Sequence, residues 1–410
     1  MNFIDFLRDP VMTISKWLGG LLSNWGVNDS WSTFILYLIG SAVLGTVALL
    51  FTLLFIWAER KIIGRLQDRY GPNRVGPWGI FQSVADMVKI FIKEHIIPSG
   101  VDPGPYHLAP IIVVASVLMV LAIVPLSTTL LGSDLNVAVL FLLAVGGLGE
   151  VGIIMAGWGS NNKYALLSAF RASAQMISYE IPMAIVLLTI VILSGSMSMN
   201  DIVLAQDIPF IILLPLGALI FFIASIAENG RAPFDLAEAE SELVAGFNIE
   251  YSGLKFGMFY VADFLRAFIS AVIFSTLFLG GWRGPGAESI PALGIVYLII
   301  KSLLVWFLGV WIRGSLPRYR IDQMMKINWK FLTPLAILLL VVVMLAGKLV
   351  ESAGSTIQAF TLIGLNLILL AISMWILRKN ETRVEIIEVG SRDRPVARPD
   401  NILTKNPRGG

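Results

Sequence analysis

Several ionisable residues stand inside segments that are otherwise almost wholly apolar: Glu150, Glu180, Glu228, Asp263, Arg266 and Lys301. A carboxyl group buried without a partner has its pKa pushed up and can hold a proton near neutrality. Ionisable groups within membrane segments are costly and usually serve function. Glu150 and Glu180 have no base close by in sequence, which suits a proton relay or a protonated acid hydrogen-bonded between helices. Asp263 and Arg266 stand three residues apart, where one helix face would carry both as an ion pair. A second concentration of charge follows. The stretch ENGRAPFDLAEAESE, 228–242, gathers Glu228, Asp235, Glu238, Glu240 and Glu242 around one base, Arg231. Beyond Pro233, the residues Asp235, Glu238 and Glu242 recur at i, i+3 and i+7, on one face of a helix. Like charges so placed repel unless bases from other segments meet them or some acids stay protonated. Arg60, Arg65, Arg69, Arg74, Arg318 and Arg320 are available, so the acidic stretch is expected to fold against these basic segments.

The elements that must position these groups are membrane helices. Of the 410 residues, 56% are hydrophobic and only 14% charged, with a mean hydropathy of +0.80. A soluble chain carries about 25% charged residues. A helix needs about 20 mostly apolar residues to span a bilayer. Segments near 34–57, 108–131, 137–157, 178–194, 209–227, 258–280, 293–312, 331–347 and 357–377 meet or approach this. The expected fold is an all-α polytopic membrane protein of about nine transmembrane helices. A membrane β-barrel would show alternating segments of about ten residues instead.

Residues 1–33 lack the basic region and clean apolar run of a cleavable signal, and MTISKWLGGLL reads as an interfacial helix. Residues 34–347 form the transmembrane core, 348–377 an additional helix, and 378–410 a basic, partly disordered tail. After the first span, Val84, Met87, Val88, Phe91 and Ile92 follow helical spacing, with Asp86, Lys89 and Lys93 on the other side. That pattern predicts an amphipathic helix lying on the membrane surface or against a partner. The chain has no cysteine and only His95 and His107 as histidines. Disulfides, cysteine-held iron–sulfur clusters and most zinc sites are thereby excluded, and no metal site or redox centre is expected in this chain.

Orientation follows from Lys and Arg. With the N-terminus outside, the outer segments carry only Arg8, Lys16, Arg283 and Lys348, while Arg266 and Lys301 lie within spans. The remaining Lys and Arg fall in 58–107, 158–177, 228–257, 313–330 and the tail. The positive-inside rule then places the acidic stretch and the C-terminal tail in the cytoplasm. Inside connections are also the long ones. GPNRVGPWG in the first is turn chemistry. Arg313, Arg318, Arg320 and Asp322 in the fourth look like a charge network.

Four stretches carry a family resemblance: AERKIIGRLQDRYGPNRVGPWG, GWGSNNKYALLSAFRASAQMISYE, ENGRAPFDLAEAESELVAGFNIEYSG and LPRYRIDQMM. With the helices between them they cover about 34–347. In their order they resemble the quinone-chamber membrane subunit of bacterial respiratory complex I, the H subunit, or subunit 1, family. Asn229-Gly230 departs from that family's common Thr-Asn.

The resemblance implies a membrane subunit of a proton-pumping NADH:quinone oxidoreductase in the bacterial inner membrane. Quinone is its substrate, and flavin and iron–sulfur clusters belong to other subunits. No residue of this chain is expected to be catalytic. The implied partners are peripheral-arm subunits, including the one with the terminal iron–sulfur cluster, small membrane subunits, antiporter-like subunits and lipid, but not nucleic acid. Glu59, Arg60, Arg69, Asp86 and Arg171, with Arg231, Asp235, Arg318 and Arg320, are implied to line or support the quinone chamber and its entrance. Glu228, Glu238, Glu240, Glu242 and Glu250, with Glu180, Asp263 and Glu150, are implied in proton coupling. The homologous subunit of a membrane-bound hydrogenase or of a ferredoxin-linked quinone reductase is the alternative, and a stand-alone ion transporter a remoter one.

Overall fold

The computed structural model describes residues 9–235, 246–350 and 355–381. Apart from one isolated bridge between Pro125 and Leu131, the regular structure among them is helical. In order, the helices are α1 (Pro10–Asn24), α2 (Asp29–Leu66), α3 (Gln82–Ile92), α4 (Pro103–Leu121), α5 (Ala138–Gly159), α6 (Lys163–Ser194) and α7 (Met199–Leu204). Then come α8 (Phe210–Leu213), α9 (Pro215–Glu228), α10 (Gly253–Phe278), α11 (Pro291–Ser315), α12 (Ile321–Ile327), α13 (Thr333–Val350) and α14 (Ser355–Glu381). The chain divides into two compact units, Met1–Leu369 and Leu370–Gly410, with the boundary inside α14.

Eight stretches are long and apolar enough to cross a membrane: α2, α4, α5, α6, α10, α11, the continuous run Ile321–Val350, and Ile357–Ile376 within α14. The fifth expected span is the shorter apolar helix α9. The protein is thus an all-α polytopic membrane protein, as its hydropathy predicts.

Three boundaries differ from the sequence reading. The second span ends at Leu121 rather than near 131, and Pro125–Leu131 forms a small bridged turn. The fourth helix starts at Lys163, where the Asn162 side chain accepts from the Tyr164 amide as an N-cap, and ends at left-handed Gly195. Its first four turns are rich in Ser, Ala and Gln and carry Arg171, so hydropathy alone begins it late. The fifth span breaks at Leu214, because Pro215 has no N–H to continue the ladder.

Tight packing in α5 explains how Glu150 comes to be buried. The run GLGEVGIIMAGWG puts small residues on the faces turned to neighbours, which lets membrane helices approach closely. A Cβ at Gly159 would lie 2.7 Å from the Tyr106 amide nitrogen of α4, and one at Gly157 would lie 2.9 Å from the Ala165 carbonyl of α6.

Within the first unit, the connections fall into two groups of interlocked segments. In one, Asp102 N–H donates to Gly159 O, Ile96 N–H to Ser252 Oγ and Tyr319 N–H to Pro233 O, each at 3.0 Å. This group holds the turn after α2, helix α3 and the segments 93–102, 229–235, 246–252 and 316–320. In the other, Val139 N–H donates to Met197 O at 3.1 Å, and Gln206 Nε2 donates to Thr276 O at 2.9 Å. There, Lys301 of α11 ends in a cradle of three backbone carbonyls, donating to Leu279, Gly281 and Arg283 at 2.8, 2.9 and 2.7 Å. Lys301→Met would leave all three carbonyls unpartnered. Hydrogen bonds to a charged group are worth about 1.5–3 kcal/mol, so this variant is expected to lower the thermal unfolding midpoint in detergent. An unchanged midpoint would count against the cradle.

Candidate functional site

Glu59 and Arg60, adjacent on α2, turn to different partners. Glu59 is 2% exposed. Its Oε2 accepts from Arg231 Nη1 at 2.7 Å, and its Oε1 pairs with Arg313 Nη1 of α11. Arg231 is itself buried. Its Nη2 lies 3.7 Å from Asp263 Oδ2 of α10, and its guanidinium sits 4.7 Å from the centre of the Phe264 ring. Burial opposes charge on Arg231, but Glu59 and Asp263 outweigh that and hold its pKa above the ordinary arginine value. The centre therefore joins α2, the segment after α9, α10 and α11 through two carboxylates and two guanidiniums.

Arg60 reaches α3 instead. Its Nη1 donates to Asp86 Oδ2 at 2.7 Å, and Lys89 Nζ donates to Asp86 Oδ1 at 2.9 Å. Ser83 is buried, and Ile90 packs on Gly257 of α10, so this side of α3 faces the protein. Val84, Val88, Phe91 and Ile92 are exposed. The apolar stripe of the amphipathic helix therefore points away from its own chain, as a lipid- or partner-facing helix requires. The turn before α3 folds back on α2 because Gly64 meets Gly71: a Cβ on Gly64 would lie 2.9 Å from the Gly71 amide nitrogen.

Burial would raise the Asp86 pKa, but hydrogen bonds from Arg60 and Lys89 prevail and hold it below the ordinary carboxylate range. A depressed pKa adds stability that is complete above the unfolded-state value, about 3.9, and is lost only as pH falls through the folded value. Asp86→Asn is accordingly expected to lower the unfolding midpoint by a constant amount between about pH 5 and pH 8. Unfolding curves of both proteins across that range would test this; a gap that closes within it would contradict the assignment.

The segment after α9 is anchored from α6. Gln175, one turn beyond Arg171, donates through Nε2 to both Ala227 O and Phe234 O at 2.6 Å. Phe234 packs between Tyr179 and Tyr319, at 5.4 and 5.7 Å between ring centres. Asp235 Oδ1 is buried, as are Nε and Nη2 of Arg318, and none of these atoms has a hydrogen-bond partner among the described residues. Glu250 accepts from Asn162 Nδ2 at 2.7 Å, and its carbonyl accepts from the Tyr106 hydroxyl at 3.0 Å. Tyr106 stacks on Tyr251 at 4.3 Å.

Deeper in the bundle lies a cavity of about 60 Å³ bordered by Glu180, Glu228, Arg266, Ser116, Ser225 and Asn229, among others. Both carboxylates approach Gly146: a Cβ there would lie 3.7 Å from Glu228 Oε1 and 3.9 Å from Glu180 Oε1. A Cβ at Gly149 would lie 2.7 Å from Arg266 Nη2. Glu150, 7% exposed, lies within the electrostatic reach of Glu180, Glu228 and Arg266. Two acids, from α6 and α9, thus border the cavity together with one base from α10, and the third acid stands near them on α5.

The structure gathers the expected residues unevenly. Glu59 and Arg231 meet directly, with Asp263 at 3.7 Å, and Arg60 meets Asp86. Glu180 and Glu228 share a cavity with Arg266, and Glu150 lies within electrostatic reach of all three. Glu250 is held at the level of Asn162. Arg69 is exposed and bonds to Gln67 Oε1 at 2.8 Å, away from the Glu59 centre. Arg320 is exposed as well. Glu238, Glu240 and Glu242 lie outside the described residues.

Two expected pairings are corrected. Asp263 has its ion pair with Arg231, not with Arg266, whose guanidinium turns into the carboxylate cavity. The four charges near 313–322 do not pair with one another among the described residues, because Arg313 is drawn to Glu59. Gln175 and Asn229 are site residues that sequence reasoning missed, and Arg313 was read only as part of a local charge network; all three stand in or beside the quoted motifs.

Fold and site define a polytopic helical membrane protein with a buried carboxylate–guanidinium centre next to a carboxylate-lined cavity. The profile of the NADH dehydrogenase family matches residues 39–344. The H subunit of NADH-quinone oxidoreductase from Dehalococcoides mccartyi strain CBDB1 is 47% identical over 316 residues, which are 77% of this chain and 87% of that protein. The H subunit from Geobacillus sp. strain WCH70 is 45% identical over 324 residues, 78% of this chain and 96% of that protein. The second H-type protein of Syntrophobacter fumaroxidans is 42% identical over 336 residues, covering 79% and 99%. This chain belongs to that family of membrane subunits.

Proposed function

We propose that this chain is the complex I membrane subunit that forms the entrance and membrane half of a quinone chamber and links quinone reduction to proton movement. The observation that carries the reading is the Glu59–Arg231–Asp263 centre. It ties the helix bearing Arg60 and α3 to a bundle interior holding Glu228, Glu180 and Glu150. The outward apolar stripe of α3 supports entry of a hydrophobic substrate from lipid. Arg60, Asp86, Arg171, Arg231, Asp235 and Arg318 would line or support the chamber.

Reduction of a quinone to its hydroquinone takes up two electrons and two protons. The electrons would come from NADH through flavin and iron–sulfur clusters of peripheral-arm subunits, and this chain would supply charge compensation and protons. Each change of charge in the chamber would bias the buried Arg231, and through Asp263 the carboxylates beyond it. Antiporter-like subunits would complete the pump. Most Lys and Arg residues lie in 58–107, 158–177, 228–257, 313–330 and the C-terminal tail, which supports a cytoplasmic placement of those segments.

The test is purification of the tagged chain in mild detergent. Co-purifying flavin, iron–sulfur and antiporter-like subunits with inhibitor-sensitive NADH:quinone reductase activity are expected. A hydrogenase or ferredoxin-oxidising partner set would replace the donor in this reading. Recovery of the chain alone would overturn it.

A further inference from the structure

A second cavity, about 40 Å³, lies beside the carboxylate cavity and is bordered by Arg231, Trp306, Phe222 and Gly309 among others. Ser225, Asn229 and Ser270 border both cavities. Between the two, Asn229 Nδ2 donates to Ser270 Oγ at 2.7 Å, and Ser270 Oγ donates to the Ala267 carbonyl of its own helix at 3.0 Å. Asn229 is 8% exposed. One hydrogen-bonded pair thus separates the space beside the Glu59–Arg231 centre from the space holding Glu180 and Glu228.

The second cavity is also rich in unused donors. Arg231 Nε and Trp306 Nε1 are buried and have no acceptor among the described residues. Arg231 is 8% exposed and Trp306 6%. Buried donors are almost always satisfied, by protein or by ordered water. A water needs roughly 10–15 Å³ of such space and two to four polar partners. Both cavities exceed that volume, and both offer the partners.

We propose that the second cavity holds ordered water bonded to Trp306 Nε1 and Arg231 Nε, and that the Asn229–Ser270 pair gates proton passage from that water to the Glu228 cavity. Ser270 carries the step. Its hydroxyl turns from the Ala267 carbonyl, accepts a proton from the water side and releases its own toward Glu228, so its bonding is unchanged after each passage. Asn229 is a positioning residue: its amide donates to the Ser270 oxygen and fixes it between the two cavities. The inference rests on the proposed coupling function and names the passage within it.

The test uses the assembled complex in proteoliposomes, with Ser270→Ala, Asn229→Leu and Asn229→Thr. NADH oxidation by ferricyanide, which needs no quinone, reports assembly. Ser270→Ala and Asn229→Leu are expected to slow quinone-linked proton translocation about tenfold and to raise its solvent deuterium isotope effect. Asn229→Thr, which keeps a donor, is expected to recover most of the rate. A translocation rate and isotope effect in Ser270→Ala equal to wild type would overturn the gate and leave the coupling reading standing. If Ser270→Ala does not assemble, a map of the wild-type complex at water resolution decides. Density within hydrogen-bond distance of Trp306 Nε1 supports the proposal, and its absence overturns it. A wild-type complex that oxidises NADH without reducing quinone would remove the coupling function and the gate together.

Discussion

Arg231→Met is expected to reduce quinone-linked turnover by at least about a hundredfold, an activation cost of roughly 2.7 kcal/mol. Methionine keeps much of the apolar stem but removes the charge that Glu59 and Asp263 share. Glu59 would keep Arg313, whereas Asp263 would lose its ion-pair partner. Breaking a buried pair from one side costs about 3–5 kcal/mol, since the remaining charge stays desolvated. The variant should therefore also unfold at a lower temperature. The double variant Asp263→Asn/Arg231→Met separates the two effects. It removes the stranded carboxylate, so stability should partly return, as in a double-mutant cycle between contacting residues. Turnover should not return, because the link between α2 and the interior carboxylates is still missing. Wild-type turnover in Arg231→Met would detach this centre from the mechanism.

Gly149→Ala is expected to cut coupled turnover about tenfold, a cost of roughly 1.4 kcal/mol, without loss of assembly. The added Cβ would lie 2.7 Å from Arg266 Nη2 and 3.0 Å from Ser116 Oγ. The crowding falls first on the end of a flexible side chain, so Arg266 moves rather than the backbone. Glu150, Glu180 and Glu228 would then lose the base that balances them. Alanine is the better helix former by about 1 kcal/mol, which works against any loss of stability. Reduced turnover at undiminished stability is thus the signature to seek, measured as NADH:quinone reductase activity alongside an unfolding curve. Unchanged turnover would mean that the position of Arg266 is not critical.

The spans were legible because lipid-facing helices must be apolar over a fixed length. Where the chain turned polar inside a helix, hydropathy misled: Arg171 and its Ser-rich neighbours belong to α6, not to a loop. Proline and the turn-forming 122–131 segment were likewise hidden within apolar runs. The acids were legible as acids, since Glu150 and Glu180 stand out against apolar neighbours. Their partners were not. The nearest base in sequence to Asp263 is Arg266, yet its pair is Arg231, and no local pattern brings Arg313 to Glu59. Those pairings depend on helix packing, which a single sequence does not display. The burial of Gln175 was equally invisible, because its acceptors are backbone carbonyls of a segment after α9.

The Glu59 centre also sets an order of events during biogenesis. Its two arginines follow it by 172 and 254 positions. A ribosome delivers the first span long before either arginine exists, so the nascent chain carries Glu59 without those counter-charges while four further spans are made. Burial of that carboxylate in its native pairings must wait until Arg231 and then Arg313 have been synthesised. Helix α2 is consequently among the first spans to enter the bilayer and among the last to complete its native pairings. A chain truncated before Arg313 would present an incompletely neutralised acid to the membrane's quality-control proteases.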